Sequence, residues 1–160
     1  MEDQIKIRNY KYSELLEITS LTSIAYSVPY KTGGIINKFH ETIEELKKDI
    51  KRGSEILVAQ ENKKIIGAVR FAIINSKLKF GRLAVLPDYR KRGIGEKLIK
   101  AIINIAQKRN IDVMVLDVME EKGLIPFYEK FGFKTKSKKK HQNHHDVIME
   151  KRIKSHNKRT

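Results

Sequence analysis

Apolar and polar positions follow two periods along this chain, and the switches between them outline its elements. In "IKIRNY" the apolar residues alternate, which predicts a first β-strand. In "SELLEITSLTSIAY" Leu15, Ile18, Leu21 and Ala25 fall on one helical face, with Ser13 as the expected N-cap. "TIEELKKDI" predicts a short helix: Thr42 and Glu45 stand in capping-box spacing, and Ile43, Leu46 and Ile50 form its apolar stripe. "EILVAQE", the turn "NKK" and "IIGAVRFAII" read as a hairpin, and "LKFGRLAVLP" as a further strand ended by Pro87. "GIGEKLIKAIINIAQKRN" carries the strongest helical period, with Leu98, Ile102, Ile105 and Ala106 on one face. "VMVLDVM" is a short buried strand, and "IPFYEKFG" a short helix closed by Gly132. "FKTKS" and "HDVIMEKRI" pair as the last two strands. The order β α α β β β α β α β β predicts an α/β (α+β-like) domain. Its mixed, mostly antiparallel sheet should have six to seven strands, about four helices and one strong β–α–β crossover.

Composition narrows the class. At 160 residues with 40% hydrophobic content, the chain can bury one core. One domain is expected over residues 1–153, followed by a basic tail, 154–160. Without cysteine there are no disulfides, thiolate metal sites or cysteine nucleophiles. No apolar run approaches the roughly 20 residues of a membrane span, and "MEDQIKIRNY" lacks an apolar signal core. A cytoplasmic protein with no membrane partner is expected. The net charge is +15, and residues 134–160 hold ten Lys/Arg against Asp146 and Glu150. This basic end has no accompanying aromatic–basic recognition motif, so a nucleic-acid partner is not expected.

One loop stands out chemically. "DYRKRGIGEKL" sets Arg90, Lys91 and Arg92 against Gly93 and Gly95, between a strand and the strongest helix. The first turn of a helix leaves backbone N–H groups without intrahelical partners, and its dipole is positive there. Glycines let an anion approach the backbone closely. Strand, Pro, Arg-x-x-Gly-x-Gly, helix is thus a pyrophosphate cradle. It is neither the P-loop nor the Gly-x-Gly-x-x-Gly fingerprint, because Leu98 holds the third glycine position.

With "IPFYEKFGF" some thirty residues later, the segment "LAVLPDYRKRGIGEKLI" closely resembles the GNAT superfamily of acetyl-CoA-dependent N-acetyltransferases. The likeness covers residues 55–135 and the element order of almost the whole chain. It implies acetyl-CoA as cosubstrate, no metal, and an amine acceptor that the motifs do not identify. Dimers, common in the family, make a homodimer one expectation. The resemblance implies that the backbone of Leu83, Ala84 and Val85 meets the pantetheine arm in a splayed gap beside "VMVLDVM". It also implies that the amides of Lys91, Arg92, Gly93, Ile94, Gly95 and Glu96, with Arg90 opening the motif, grip the pyrophosphate. By the same resemblance the Val85 N–H is the oxyanion donor and Tyr128 the general acid that protonates the leaving thiolate. A phenol with an ordinary pKa of about 10 is protonated at neutral pH and can donate.

The general base stays open among Glu41, Asp117, Glu120, Glu121, His144 and His145. One departure is visible: many relatives carry Asn where this chain has Glu121, which puts one hydrogen bond to the pantetheine arm in doubt and brings Glu120 and Glu121 into view as carboxylates near the amine. The acceptor is expected to border "SIAYSVPYKTGG", with Tyr26 and Tyr30, and the loop "HQNHHD". The basic rim favours an acceptor with acidic groups over a polycation. His141, His144, His145 and Asp146 look like a metal cluster, but strand alternation from His144 sends neighbours to opposite faces, which weighs against one. A non-catalytic acyl-CoA sensor, or a basic nucleic-acid-associated module of the same fold, is the competing reading. A sensor needs the loop and not Tyr128.

Overall fold

The computed structural model describes residues 4–29 and 41–153. Tyr30 and the basic tail lie outside the described residues. Seven strands form one sheet: β1 (Ile5–Asn9), β2 (Glu55–Glu61), β3 (Lys64–Ile74), β4 (Lys77–Val85), β5 (Val113–Met119), β6 (Lys134–Lys140) and β7 (His145–Arg152). Four helices accompany them: α1 (Leu15–Tyr26), α2 (Ile43–Lys51), α3 (Ile94–Lys108) and α4 (Ile125–Glu129). The sheet order is β1-β2-β3-β4-β5-β7-β6, antiparallel everywhere except β4 beside β5. Fold class, element order and the single parallel crossover agree with the sequence pattern.

Helices cover both faces, which explains why the apolar runs in β2 and β3 are unbroken rather than alternating. Ile56 and Val58 of β2 pack under α1 and α2 with Leu15, Ile18 and Leu46, while Leu57 and Ala59 face α3 with Leu98, Ile99 and Ile102. Leu98 is fully buried, so Leu98→Ala should cost about 2–5 kcal/mol. Gly67 seats α3 on the sheet: a Cβ there would lie 3.1 Å from Ile94 Cγ2 and 3.2 Å from the Ala84 carbonyl oxygen.

The ends of α1 and α2 differ in how far local sequence decides them. The α2 capping box forms as its spacing predicts, with the Thr42 hydroxyl accepting from the Glu45 N–H at 3.1 Å. Ser13 does not cap α1. Tyr12–Glu14 winds into a 3₁₀ turn that places Ser13 inside the helical path, and the N-cap is Glu14. The Glu14 carboxylate accepts from the Lys11 N–H at 2.7 Å and pairs with Arg8 of β1 at 2.6 Å. An ion pair between β1 and the start of α1 stands where the hydroxyl cap was expected.

The feature that positions the site is a bulge in β4. Ala68 and Arg70 of β3 stand opposite Ala84 and Gly81, so β4 carries one extra residue there. Arg82 takes up the irregularity in the left-handed region, at φ 51°. The bulge turns β4 away from its parallel neighbour. Pairing with β5 is confined to Leu78, Lys79 and Phe80 against Met114, Val115 and Leu116. Beyond Phe80 the two strands splay, leaving an open wedge in the middle of the sheet.

Candidate active site

Two clefts open from this wedge and share a wall. The first, about 370 Å³, lies at the N-terminus of α3 and is lined by Leu83, Val85, Lys91, Gly93, Gly95 and Phe127 among others. The second, about 730 Å³, opens between the diverging strands, α2 and the approach to α4, and Tyr128 lines it. Leu83 of β4 and Leu124 before α4 line both. A molecule in either cleft therefore meets the other's contents across these two side chains.

Local geometry builds the first cleft. Lys91 and Gly93 both take left-handed backbone, at φ 62° and 77°, and Gly93 is the N-cap of α3. No atom lies within 4 Å of where a Cβ on Gly93 would stand, so its constraint is backbone conformation rather than space. A Cβ on Gly95 would meet Phe127 at 3.6 Å and project into the cleft. The N–H groups of the first α3 turn supply anion-binding capacity. Leu83, Val85, Arg90, Lys91, Gly93, Ile94, Gly95 and Glu96 are brought together here. Ala84 and Arg92 are not among the lining residues. Ala84 is fully buried beneath α1, and the Arg92 guanidinium pairs with Glu61 of β2.

The Arg90 side chain performs a task that its motif did not foretell. Its guanidinium donates to the carbonyl oxygens of Ala25 at 2.6 Å, Val28 at 2.9 Å and Pro29 at 3.2 Å, and its Nε to that of Val85 at 3.1 Å. Carbonyls at the end of α1 are orphaned by helix geometry, and a cation there also suits the dipole. Arg90 thus ties the loop to α1.

Tyr128 is 6% exposed, with its ring edge-on to Phe127 and Phe133 at centroid distances of 5.2 and 6.3 Å. This aromatic packing holds the ring where it borders the second cleft. The rest of that cleft is charged. Arg70 is held by Glu41 at 2.6 Å and Asp49 at 3.1 Å. Burial works to lower the Arg70 pKa, but these two carboxylates outweigh it and hold it above the ordinary value. Lys122 stacks its ammonium 4.4 Å from the Tyr26 ring centroid. Its pKa is lowered, first by burial and then by the charge of Arg82.

Of the candidate bases, Glu41 and Asp117 line this cleft. Glu41 is committed to Arg70, whereas Asp117 makes no ion pair among the described residues. Glu120 pairs with Lys138 at 2.5 Å. Glu121 turns to β7 and accepts from both the His145 N–H and its ring Nδ1 at 2.7 Å, contacts that hold its carboxyl at about 2. Neither acid lines the second cleft. Phe127, Leu124 and Lys122 are functional neighbours that spacing alone did not disclose, because each reads locally as an ordinary residue of a short amphipathic segment.

Comparison with known proteins agrees with this geometry. Residues 26–153 match the family model described as an acetyltransferase (GNAT) domain. Over 99 residues the chain is 29% identical to the Uncharacterized N-acetyltransferase YjcF of Bacillus subtilis, covering 62% of this chain and 66% of that one. It is 27% identical over 146 residues to N-alpha-acetyltransferase 50 of Danio rerio, covering 88% and 80%. The chain thus spans slightly under two thirds of the first relative's length and four fifths of the second's. The PaiA N-acetyltransferase of Thermoplasma acidophilum, solved in complex with coenzyme A, superposes with a TM-score of 0.78 at 24% identity, covering 94% of this chain and all of that one. No helix among the described residues is long and apolar enough to cross a membrane. With the family model spanning β2 to β7 and both glycines of the loop, the chain belongs to the GNAT acetyltransferases, the family whose cosubstrate is acetyl-CoA.

Proposed function

We propose that the protein is an N-acetyltransferase that moves an acetyl group from acetyl-CoA directly to a primary amine, with both substrates bound at once. The observation that carries this reading is the pair of clefts with a common wall at Leu83 and Leu124. The pyrophosphate sits on the amides from Lys91 to Glu96, and the pantetheine arm runs along Leu83 to Val85. The thioester then reaches the shared wall, where an amine from the second cleft attacks its carbonyl. The tetrahedral intermediate places negative charge on oxygen, which the Val85 N–H stabilises as a fixed dipole. As the C–S bond breaks, the Tyr128 hydroxyl gives its proton to the thiolate.

The amine must be neutral to attack, and the second cleft favours that form. Burial and Arg82 lower the pKa of Lys122, and an acceptor ammonium beside them meets the same two influences. Neutral amine forms there without a strong base, and Asp117 is placed to take up the released proton through water. The same cations favour an acceptor that carries an anionic group near its amine.

Calorimetry with acetyl-CoA tests the core of this reading. The wild type should bind one equivalent, and Gly95→Val should lose it, because the added side chain occupies the cleft against Phe127. A wild type that fails to bind overturns the proposal.

A further inference from the structure

The hairpin between β6 and β7 gathers two imidazoles and a carboxylate at the edge of the second cleft. Residues 141–144 form the turn, closed by the His141 N–H donating to the His144 carbonyl at 2.7 Å. Strand alternation sends His145 to the face of Glu121 and Val147, and puts His144 and Asp146 together on the other. The alternation that weighs against a four-residue cluster therefore assembles a three-residue one. His141 Nε2 lies 2.9 Å from one Asp146 oxygen and His144 Nε2 lies 3.3 Å from the other. The two rings stack at 4.6 Å with 15° between their planes, so both Nε2 atoms meet the same carboxylate. All three donor atoms lie within 4.8 Å of one another, and each side chain is about one third exposed.

We propose that His141, His144 and Asp146 form a binding site for one divalent transition-metal ion of the zinc class. Two imidazole nitrogens and one carboxylate oxygen are the donors borderline cations prefer, whereas Mg²⁺ and Ca²⁺ prefer oxygen. Water completes the coordination, since all three side chains reach solvent. The neighbouring group Glu120, Glu121 and His145 does not compete: both Glu121 oxygens are held by His145, and Glu120 is held by Lys138. Asp146 also lines the second cleft, so the ion engages a carboxylate at the mouth of the acceptor site. No step of acetyl transfer passes through it. The site stands on the hairpin alone and does not depend on the acetyltransferase reading.

Titrating tag-free full-length protein with Zn²⁺ in a calorimeter tests the site. One equivalent should bind. His144→Ala and Asp146→Asn should each weaken binding roughly tenfold or more, while His145→Ala leaves it unchanged. Mg²⁺ at the same concentrations should give no heat. Melting curves of the variants confirm that the exposed substitutions leave the fold intact. An absence of Zn²⁺ binding overturns the proposal, as does binding that survives His144→Ala and Asp146→Asn or is lost in His145→Ala.

Discussion

The two clefts are built on opposite plans. The coenzyme-side cleft comes largely from one stretch, Leu83 to Glu96, joined by Leu124, Phe127 and Lys130. Its working groups are backbone amides, a helix end and the conformations of Lys91 and Gly93. The second cleft, proposed for the acceptor, draws on α1, α2, β3, β4, β5 and β7, and it presents charged side chains, some in ion pairs. A ligand common to a whole family can be held by backbone, which tolerates change in side chains. A ligand peculiar to one protein has to be recognised by side chains, and here these arrive from positions as far apart as Tyr26 and Asp146.

Three substitutions sharpen that contrast. Tyr128→Phe, in the wall of the second cleft, should have the largest effect. With the proposed general acid removed, kcat should fall roughly 100-fold while acetyl-CoA affinity stays within twofold, as steady-state kinetics and calorimetry would read. Unchanged turnover would remove the general-acid role and leave Tyr128 as a residue of the core. Arg90→Ala comes next. Its guanidinium is spent on carbonyls, so the substitution should cost about 2 kcal/mol of stability in denaturant unfolding. Acetyl-CoA affinity should change less than in Gly95→Val; the reverse ranking would return Arg90 to the phosphate. Arg82→Gln should have the smallest effect, visible only as a pH shift. Arg82 and burial both lower a neighbouring ammonium's pKa, so removing the arginine raises it. The rising limb of the kcat–pH profile, which reports groups in the ternary complex, should move to higher pH.

The same division explains what the sequence discloses. Among the described residues, periodicity predicts the seven strands and four α-helices, and where local spacing decides, the Thr42–Glu45 box and the α3 stripe form as expected. The coenzyme loop is legible because its chemistry needs a fixed order of glycines beside a helix start. Contacts between distant segments are not legible. Ser13 reads as a cap until Arg8 of β1 supplies Glu14 with a partner. Nothing in the loop's spacing discloses that the Arg90 guanidinium also holds the carbonyls at the end of α1. Glu121 reads as a carboxylate near the amine until β7 brings His145 to it. Each case turns on a side chain that finds its partner on another element.

The three-pair seam between β4 and β5 has a consequence for how the molecule holds together. On either side of it lie two antiparallel groups, β1-β2-β3-β4 and β5-β7-β6. Across it, Leu78 meets Met114 only after the chain has passed through α3, and this non-local closure is repaid by the fewest paired residues in the sheet. The wedge, the proposed meeting place of two substrates, is thus also the fold's natural line of parting. Any long, extended molecule lodged in it acts as a keystone, and amide exchange along Lys79 and Val115 would slow when the keystone is in place.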